Sequence, residues 1–275
     1  MIYLDHNATT RPAPEAVQEM LDVLAHAWAN PSSTHEPGQA ARRILSDART
    51  RVAAALGCAG NELVFTSGAT ESNHMAVLGA LRALKPQGRW RVVMSAVEHP
   101  GLLALGQRLQ DEGGSLSLIP VTPRGELDLV AAERLIGPDV ALVSVMGANN
   151  ETGVLMPLAQ VAALAHAQGA LCHVDATQLL GKSPQRFDDS GADLWSVSAH
   201  KLHGPKGSGA LVIRKGLLAP AGLPPLLAGR QERNRRGGTE NLPGIAGFAA
   251  AAERMSVHLG ADLLHMAVLR DRLEA

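Results

Sequence analysis

One lysine of this sequence, Lys201, has the surroundings expected of a chemically active amine. It lies in residues 196–207 (Ser-Val-Ser-Ala-His-Lys-Leu-His-Gly-Pro-Lys-Gly), which overlap the apolar run 193–197. The run indicates a buried strand, and the glycines and the proline after it predict a stiff turn. Burial and cationic neighbours lower the pKa of a lysine, so its neutral amine can attack a carbonyl group. Taken alone, the segment is better explained by a surface lysine in a glycine-rich loop.

A carboxylate at the end of a second apolar run supports the interpretation of Lys201 as a chemically active amine. Residues 173–178 read His-Val-Asp-Ala-Thr-Gln and close the run 169–174, so Asp175 is predicted at the tip of a strand. Pyridoxal 5'-phosphate (PLP) requires a lysine for its aldehyde, a carboxylate for its ring nitrogen and helix-terminus donors for its phosphate. Together the two segments resemble those of the cysteine desulfurases in the class V aminotransferase family, and the match covers nearly the whole chain.

This resemblance implies both a fold and an activity. The fold is α/β: the large domain of a fold-type I PLP-dependent transferase, with a seven-stranded, mainly parallel sheet covered by helices on both faces. The activity is removal of sulfur from L-cysteine, giving L-alanine and an enzyme persulfide for iron–sulfur cluster or thio-cofactor synthesis. The partner it implies is a sulfur acceptor or iron–sulfur scaffold protein. A selenocysteine lyase, another class V enzyme, or a catalytically incomplete PLP-binding dimerisation partner remains an alternative.

A third motif, residues 66–73 (Thr-Ser-Gly-Ala-Thr-Glu-Ser-Asn), follows a predicted strand and opens a helix. Its glycine permits a tight turn, and the first-turn amides with the Thr70 hydroxyl form an anion pocket. An ordinary helix cap is the competing interpretation. The resemblance implies that Ala69 and Thr70 hold the cofactor phosphate. His74 replaces an asparagine usual in the family, and this change could alter local helix packing.

Further site residues follow predicted strands. His99, in Val-Glu-His-Pro, could stack on a pyridine ring and exchange protons near neutral pH. The resemblance implies that role for His99, places Asn150 beside the phenolic oxygen of the cofactor and the substrate carboxylate, and gives Gln178 a hydrogen bond to the phenolic oxygen. It also implies that Asp175 keeps the ring nitrogen protonated. Without that context, a loop histidine, turn-forming amides and a helix cap explain these residues.

The remaining implied contacts concern the phosphate. Ser198 and His200, beside the lysine, are expected to join Thr70 there. Four arginines precede Gly-Gly-Thr-Glu-Asn (residues 237–241), and so short a basic run does not indicate nucleic acid binding. The resemblance implies that Thr239 reaches the phosphate of the other subunit, and therefore a homodimer. The family's Gly-Gly-Gly-Gln-Glu is Ala-Gly-Arg-Gln-Glu at residues 228–232, so this loop could differ in shape.

The elements that must position these residues alternate between strand and helix. Strands are predicted at Leu63–Thr66, Arg91–Ser95, 115–120, 140–145, 170–174, 194–197 and Gly209–Ile213. Helices are predicted from about residue 14, at 39–56, 70–84, 100–112, 126–136 and 157–168, and from about 243 to the end. Repeated strand-helix-strand units predict a parallel sheet covered on both faces. The last strand follows too closely for a helical crossover and is expected to be antiparallel. Residues 217–228 are predicted to be irregular.

The bulk composition excludes some classes of partner. The formal net charge of the 275 residues is −1, so no overall field attracts nucleic acid or an anionic membrane. No apolar run is long enough to span a bilayer, and the first residues lack the features of a signal peptide. Cys58 and Cys172 form no pair with the spacing of metal ligands, and no metal is expected. The expected compartment is the reducing cytoplasm.

The resemblance also divides the chain. Residues 1–13 form an arm that belongs to the small domain in the family, residues 14–255 the PLP-binding large domain, and residues 256–275 the start of a helix leading to a small domain. In the family, the region beyond carries the mobile-loop cysteine that receives sulfur and an arginine that binds the substrate carboxylate. Neither Cys58 nor Cys172 corresponds to that cysteine. We therefore expect a fragment or truncated product that binds PLP and makes little alanine or persulfide.

Overall fold

The fold is built on one sheet, in a computed structural model that describes residues 2–218 and 221–275. Within those residues the strands are β1 (Leu63–Thr66), β2 (Arg91–Ser95), β3 (Ser115–Ile119), β4 (Val140–Met146), β5 (Leu171–Asp175), β6 (Leu194–Ser198) and β7 (Gly209–Ile213). The helices are α1 (Pro14–His26), α2 (Glu36–Leu56), α3 (Ala69–Leu84), α4 (Pro100–Asp111), α5 (Leu129–Leu135), α6 (Leu158–Ala167), α7 (Gln231–Asn234) and α8 (Leu242–Glu274).

The direction of the strands decides where a site can form. Their order across the sheet is β1-β7-β6-β5-β4-β2-β3. The pairs among β2, β3, β4, β5 and β6 are parallel, whereas β7 is antiparallel to both β6 and β1, as predicted for the last strand. Strand β1 therefore runs in the same direction as the parallel strands. The carboxyl ends of six strands meet at one edge of the sheet, where α/β proteins bind their ligands.

Helices cover both faces of the sheet, as predicted. All seven residues of β4 are buried, because a strand covered on both faces has no solvent-facing side. On one face, Met75 of α3 and Leu102 of α4 belong to one hydrophobic cluster. On the other face, Val52 of α2, Val161 of α6 and Phe248 of α8 belong to a second cluster. The two clusters hold the sheet rigid between them, so residues at the strand ends have fixed positions.

The predicted element bounds are close to those observed. Every strand bound lies within one residue of its prediction. Helix α2 begins three residues before the predicted start, because the His35 side chain accepts a hydrogen bond from the Gly38 amide at 3.3 Å and Pro37 occupies its first turn. Helix α5 is shorter than predicted, since Asp128 caps its start. The described part of 217–228 contains no helix or strand, and Ala219 and Pro220 lie outside the described residues.

The N-terminal arm packs against the segment that carries the lysine. The Thr10 amide donates to the His200 carbonyl at 2.9 Å, and the Ala13 amide donates to the His203 carbonyl at 2.8 Å. Thr10 is buried, whereas residues 2–8 are exposed. Among the described residues, no helix has both the length and the apolar character needed to cross a bilayer.

Candidate functional site

The carboxyl ends of β1, β2, β4, β5 and β6 surround one cavity of about 430 Å³. Its walls come from the segments that follow these strands, which is why residues far apart in sequence meet there. Nine of the ten predicted site residues line it: Ala69, Thr70, His99, Asn150, Asp175, Gln178, Ser198, His200 and Lys201. The tenth, Thr239, does not. The volume is in the range of small-molecule and cofactor sites.

The turn between β1 and α3 is built by two glycines. Gly68 has φ of +152° and ψ of −179°, a conformation that only glycine adopts readily. Gly209 starts β7 beside it, and a Cβ on Gly209 would lie 2.6 Å from the Gly68 Cα and 2.5 Å from the Val197 carbonyl oxygen. Because neither residue has a side chain, the first turn of α3 comes close to Ser198 at the end of β6. The first amides of a helix have no partner within it, and here they face the cavity.

A half-buried ion pair between Glu71 and Arg236 stabilises this turn. Glu71 accepts from the Ser67 amide at 2.8 Å and from the Arg236 guanidinium at 2.9 Å. Burial by itself would raise the pKa of Glu71, but the hydrogen bonds from Arg236 and Ser67 outweigh it and lower the pKa. Ser72 and Thr66 are also hydrogen-bonded to each other at 2.8 Å. His74 bonds to the Thr70 carbonyl within an uninterrupted α3, so it does not disturb the helix.

Lys201 ends a single 3-10 turn (Ala199–Lys201) that follows β6. Its Nζ donates to the Asn7 carbonyl of the N-terminal arm at 2.5 Å. Burial lowers the pKa of Lys201, against the opposing charges of Asp175 and Asp5. Burial also lowers the pKa of His200, helped by the neighbouring charges of Lys201 and Lys206. The lysine therefore has the environment that the sequence predicts for an amine that reacts in its neutral form.

Asp175 ends β5 with a buried carboxylate that is held on both oxygens. The Asn73 side-chain amide donates to Oδ2 at 2.8 Å, and the Thr177 backbone amide donates to Oδ1 at 3.0 Å. Asn73 itself is 5% exposed and lies on the buried side of α3. These two donors fix the direction of the carboxylate.

His99 caps the start of α4 at the mouth of the cavity. Its Nδ1 accepts from the Gly101 amide at 3.1 Å, so in the neutral ring the proton is on Nε2. Directly before it, Glu98 is 3% exposed and accepts from the Met146 amide at 2.6 Å. Burial, and then the nearby charge of Asp175, raise the pKa of Glu98 well above its usual value. The Glu98 carboxyl joins the turn after β2 to the end of β4.

Asn150 and Gln178 reach the cavity from two other turns. Asn149 folds the first turn, because its Oδ1 accepts from the Glu151 and Thr152 amides at 3.0 and 2.9 Å. This turn places Asn150 against the cavity. Gln178, 8% exposed, donates through Nε2 to the Asn7 carbonyl at 3.1 Å.

Thr239 lies on the far side of the β1 turn from the cavity. It lines a separate pocket of about 150 Å³, together with Ser67 and Gly207, which also line the main cavity. The segment before it includes α7, but Glu232, Arg233 and Asn234 of that element all have positive φ, so the turn is left-handed and not α-helical. Their conformation is supported because the buried Glu232 accepts from the Phe65 amide of β1 at 2.9 Å and pairs with the Arg49 guanidinium.

Neither cysteine lies at the cavity. Cys172 is fully buried within β5, and burial followed by the nearby Asp193 charge raises its pKa far above the usual range. Cys58 follows α2 and is partly buried, and mainly this burial raises its pKa to about 12. Both thiols are therefore held in the protonated, unreactive form at neutral pH.

The sequence reasoning gave no role to several residues that hold the predicted ones. These supporting residues are Asn7, Asn73, Glu98, Lys182 and Arg236. Asn73 closes the quoted 66–73 motif and Glu98 precedes His99, so proximity to a motif was the available signal for both. Arg236 directly precedes the 237–241 motif and had the same signal, whereas no local pattern indicated Asn7 or Lys182.

The groups around the cavity match in kind what PLP requires. Lys201 offers an amine with a lowered pKa, and Asp175 offers a fixed carboxylate. The hydroxyl-bearing residues Thr70 and Ser198 line the same cavity beside the start of α3, which favours a phosphate. A Cβ on Gly68 would lie 3.5 Å from the Ser198 Oγ, so the glycine keeps the space between them open.

Comparison with known proteins gives consistent matches over the whole chain. The family model described as aminotransferase class-V matches residues 2–274. A cysteine desulfurase of Cereibacter sphaeroides is 48% identical over 275 residues, covering 99% of this chain and 69% of that protein. The structure of a NifS-like protein superposes with a TM-score of 0.94 at 37% identity, over 99% of this chain and 74% of the other. A structure of SspA in complex with cysteine has a TM-score of 0.86 at 31% identity, over 92% of this chain and 72% of the other.

Proposed function

Because this chain belongs to the class V aminotransferase family, among its cysteine desulfurases, we propose that it uses PLP to remove sulfur from L-cysteine. The observation that carries the proposal is the convergence on one cavity of the Lys201 amine, the Asp175 carboxylate and the first turn of α3. The related structure with bound cysteine supports the choice of substrate. In the overall reaction, a C–H bond replaces the C–S bond of cysteine, and the sulfur passes to a thiolate as a persulfide.

The cavity residues would hold PLP at both of its ends. Ala69, Thr70, Ser198 and His200 would bind its phosphate, and Asp175 would accept a hydrogen bond from its ring nitrogen. Asn150 and Gln178 would contact its phenolic oxygen. When bound, PLP supplies an aldehyde for attachment to an amine and an electron-withdrawing ring that stabilises negative charge on the substrate Cα.

Two residues would move protons. The Lys201 amine, whose pKa is lowered by burial, can take a proton from the substrate Cα and return it. His99 has its Nδ1 occupied by the Gly101 amide, so its Nε2–H is the donor available to a group in the cavity. The hydrogen bonds from Asn73 and Thr177 keep the Asp175 carboxylate oriented toward the position of the ring nitrogen.

The sulfur-accepting thiolate is neither of the two cysteines in these residues. Cys172 could reach the cavity only by breaking the hydrogen bonds of β5, and burial raises the pKa of both thiols. We assign the sulfur to iron–sulfur cluster or thio-cofactor synthesis in the cytoplasm, where free thiols such as these persist.

A homodimer with shared sites is part of the proposal. Thr239 lies beside the phosphate end of the cavity but outside it, a position suited to reaching the site of a second subunit. Mixing a Lys201→Ala chain with a Thr239→Ala chain gives heterodimers in which one site keeps both residues. Cofactor binding should then recover relative to either variant alone. A monomer with full cofactor affinity would contradict the shared site.

The proposed function is tested by covalent trapping and by hydrogen exchange. Borohydride added to the protein with PLP should fix the cofactor on the peptide containing Lys201. Trapping should be lost in Lys201→Ala and kept in the exposed control Lys215→Ala. L-Cysteine should exchange its Cα hydrogen in deuterated water, a step that needs no sulfur acceptor. Exchange at the parent rate in Lys201→Ala or Asp175→Asn would refute the assigned roles.

A further inference from the structure

A second lysine, Lys182, lies behind the cavity wall without lining it. Its Nζ donates to the Asn7 Oδ1 at 2.9 Å and also to the Gln178 Oε1. Both partners are amide oxygens, and Gln178 precedes Lys182 by four residues on the turns that follow β5. Lys182 therefore connects a cavity residue to the N-terminal arm.

The chemistry of an ammonium group decides how Gln178 is oriented. A lysine ammonium has three donors and no acceptor, so only the oxygen of the Gln178 amide can face it. The NH₂ group must then point the other way, and it donates to the Asn7 carbonyl at 3.1 Å. The same carbonyl accepts from Lys201 Nζ at 2.5 Å. The Gln178 NH₂ group is thus directed toward the end of the cavity where the reactive lysine lies.

We propose that Lys182 is a positioning residue that fixes the Gln178 amide with its NH₂ group toward Lys201, where it donates to an anionic oxygen of the bound cofactor. The proposal rests on the proposed function for the identity of that oxygen. Without Lys182, the amide can rotate by 180° and present its oxygen, which would repel an anionic oxygen. One ammonium group outside the cavity therefore sets the polarity of the cavity wall.

The charge of Lys182 is compatible with this role near neutral pH. Burial, and then the positive charge of Lys201, lower its pKa to about 8. At pH 7 the group is still mainly protonated and acts as a donor. The hydrogen bond from Lys182 to the Asn7 side chain holds the N-terminal arm in place. The backbone carbonyl of the same Asn7 accepts hydrogen bonds from Gln178 and Lys201.

Side-chain amide NMR of the cofactor-free protein tests the orientation directly. With glutamine labelled by ¹⁵N, the Gln178 NH₂ pair, identified by its loss in Gln178→Ala, should show two well-separated proton shifts and contacts to residue 7. Lys182→Met should bring the shifts together and remove the contacts, whereas Lys182→Arg should keep them. The exposed Lys85→Met is the matched control and should leave the signals unchanged. An ordered pair in Lys182→Met with the parent contacts would overturn the proposal.

A second measurement uses 4-deoxypyridoxine 5'-phosphate, an analogue without the aldehyde, so Lys201 forms no bond to it. The absorption of its bound ring reports the ionisation of its 3-hydroxyl. In Lys182→Met the apparent pKa of that hydroxyl should rise by about one unit. At a given pH, the ratio of the anionic to the neutral form of the bound ring then falls tenfold. Gln178→Ala should give a similar rise, and the double variant should show little more.

The double variant distinguishes two ways in which Lys182 can act: by orienting the Gln178 amide, or by its positive charge alone. If Lys182 acted only through its positive charge, its effect would add to that of Gln178→Ala, and additivity would overturn the proposal. Failure of the parent protein to bind the analogue would instead count against the proposed cofactor. In that case the amide NMR result still decides the orientation of Gln178.

Discussion

The substitution Asn73→Ala tests how the Asp175 carboxylate is held. It removes the donor to Oδ2 at 2.8 Å and leaves one donor, the Thr177 amide on Oδ1. A hydrogen bond to a charged group contributes about 1.5–3 kcal/mol. The other side-chain atom of Asn73, Oδ1, is buried without a hydrogen-bond partner among the described residues, and its removal offsets part of the loss. We therefore expect a net destabilisation of about 1.5 kcal/mol, near the lower end of that range.

Thermal unfolding of the cofactor-free protein measures this loss. For a domain of this size, about 1.5 kcal/mol corresponds to a decrease in Tm of roughly 3–6 °C. The exposed Asn61→Ala should change the Tm by no more than about 1–2 °C. In an Asp175→Ala background the same Asn73→Ala substitution should cost little, because its charged partner is gone. A parent-like Tm for Asn73→Ala, or an undiminished loss in that background, would refute the reasoning.

Further expected outcomes follow from the packing around the site. The pKa of Glu71 is lowered in the folded state, so its pairing with Arg236 stabilises the fold above the usual glutamate pKa of about 4.3 and is lost as the pH falls through the lowered value. The Tm of Arg236→Gln should therefore be lower than that of the parent at pH 7, and this difference should narrow in acid as Glu71 becomes protonated. Because burial raises the pKa of Cys58 to about 12 and that of Cys172 further, a disulfide reagent at pH 8 should label the native protein slowly and the unfolded protein completely; rapid native labelling would contradict their burial. Gly209→Ala should lower stability by about 3 kcal/mol in denaturant unfolding, since its Cβ would overlap backbone atoms, and a loss below about 1 kcal/mol would show that the turn can relax.

The strands and the residues at their tips could be predicted from the sequence because burial on both faces leaves a continuous apolar run. Strand β4 is the clearest case, with seven buried residues and a polar turn directly after it. A lysine and a carboxylate at the tips of two such runs, Lys201 and Asp175, were therefore recognisable before the fold was known. The antiparallel direction of β7 followed from the short connection before it.

The contacts that hold the site could not be predicted, since each joins segments that are distant in sequence. The Asn7 carbonyl accepts a hydrogen bond from Lys201, which is 194 positions away in the sequence. Arg236 donates to Glu71, which is 165 positions away. Local hydrophobic patterns report which side of an element is buried but not which element lies opposite. The same limit applies to the order of the strands, which places β7 between β1 and β6.

That strand order has a consequence for the time at which the site can form during synthesis. Strand β1 has β7 as its neighbour in the sheet, and about 140 residues separate Thr66 from Gly209. At a ribosomal rate of about 5–20 residues per second, β1 leaves the ribosome roughly 7–30 s before its partner. The glycine turn after β1 has no fixed position during this interval, and Lys201 precedes β7 by only a few residues. The turn after β1 and the turn that carries Lys201 are thus brought together in one late step, when β7 inserts between β1 and β6.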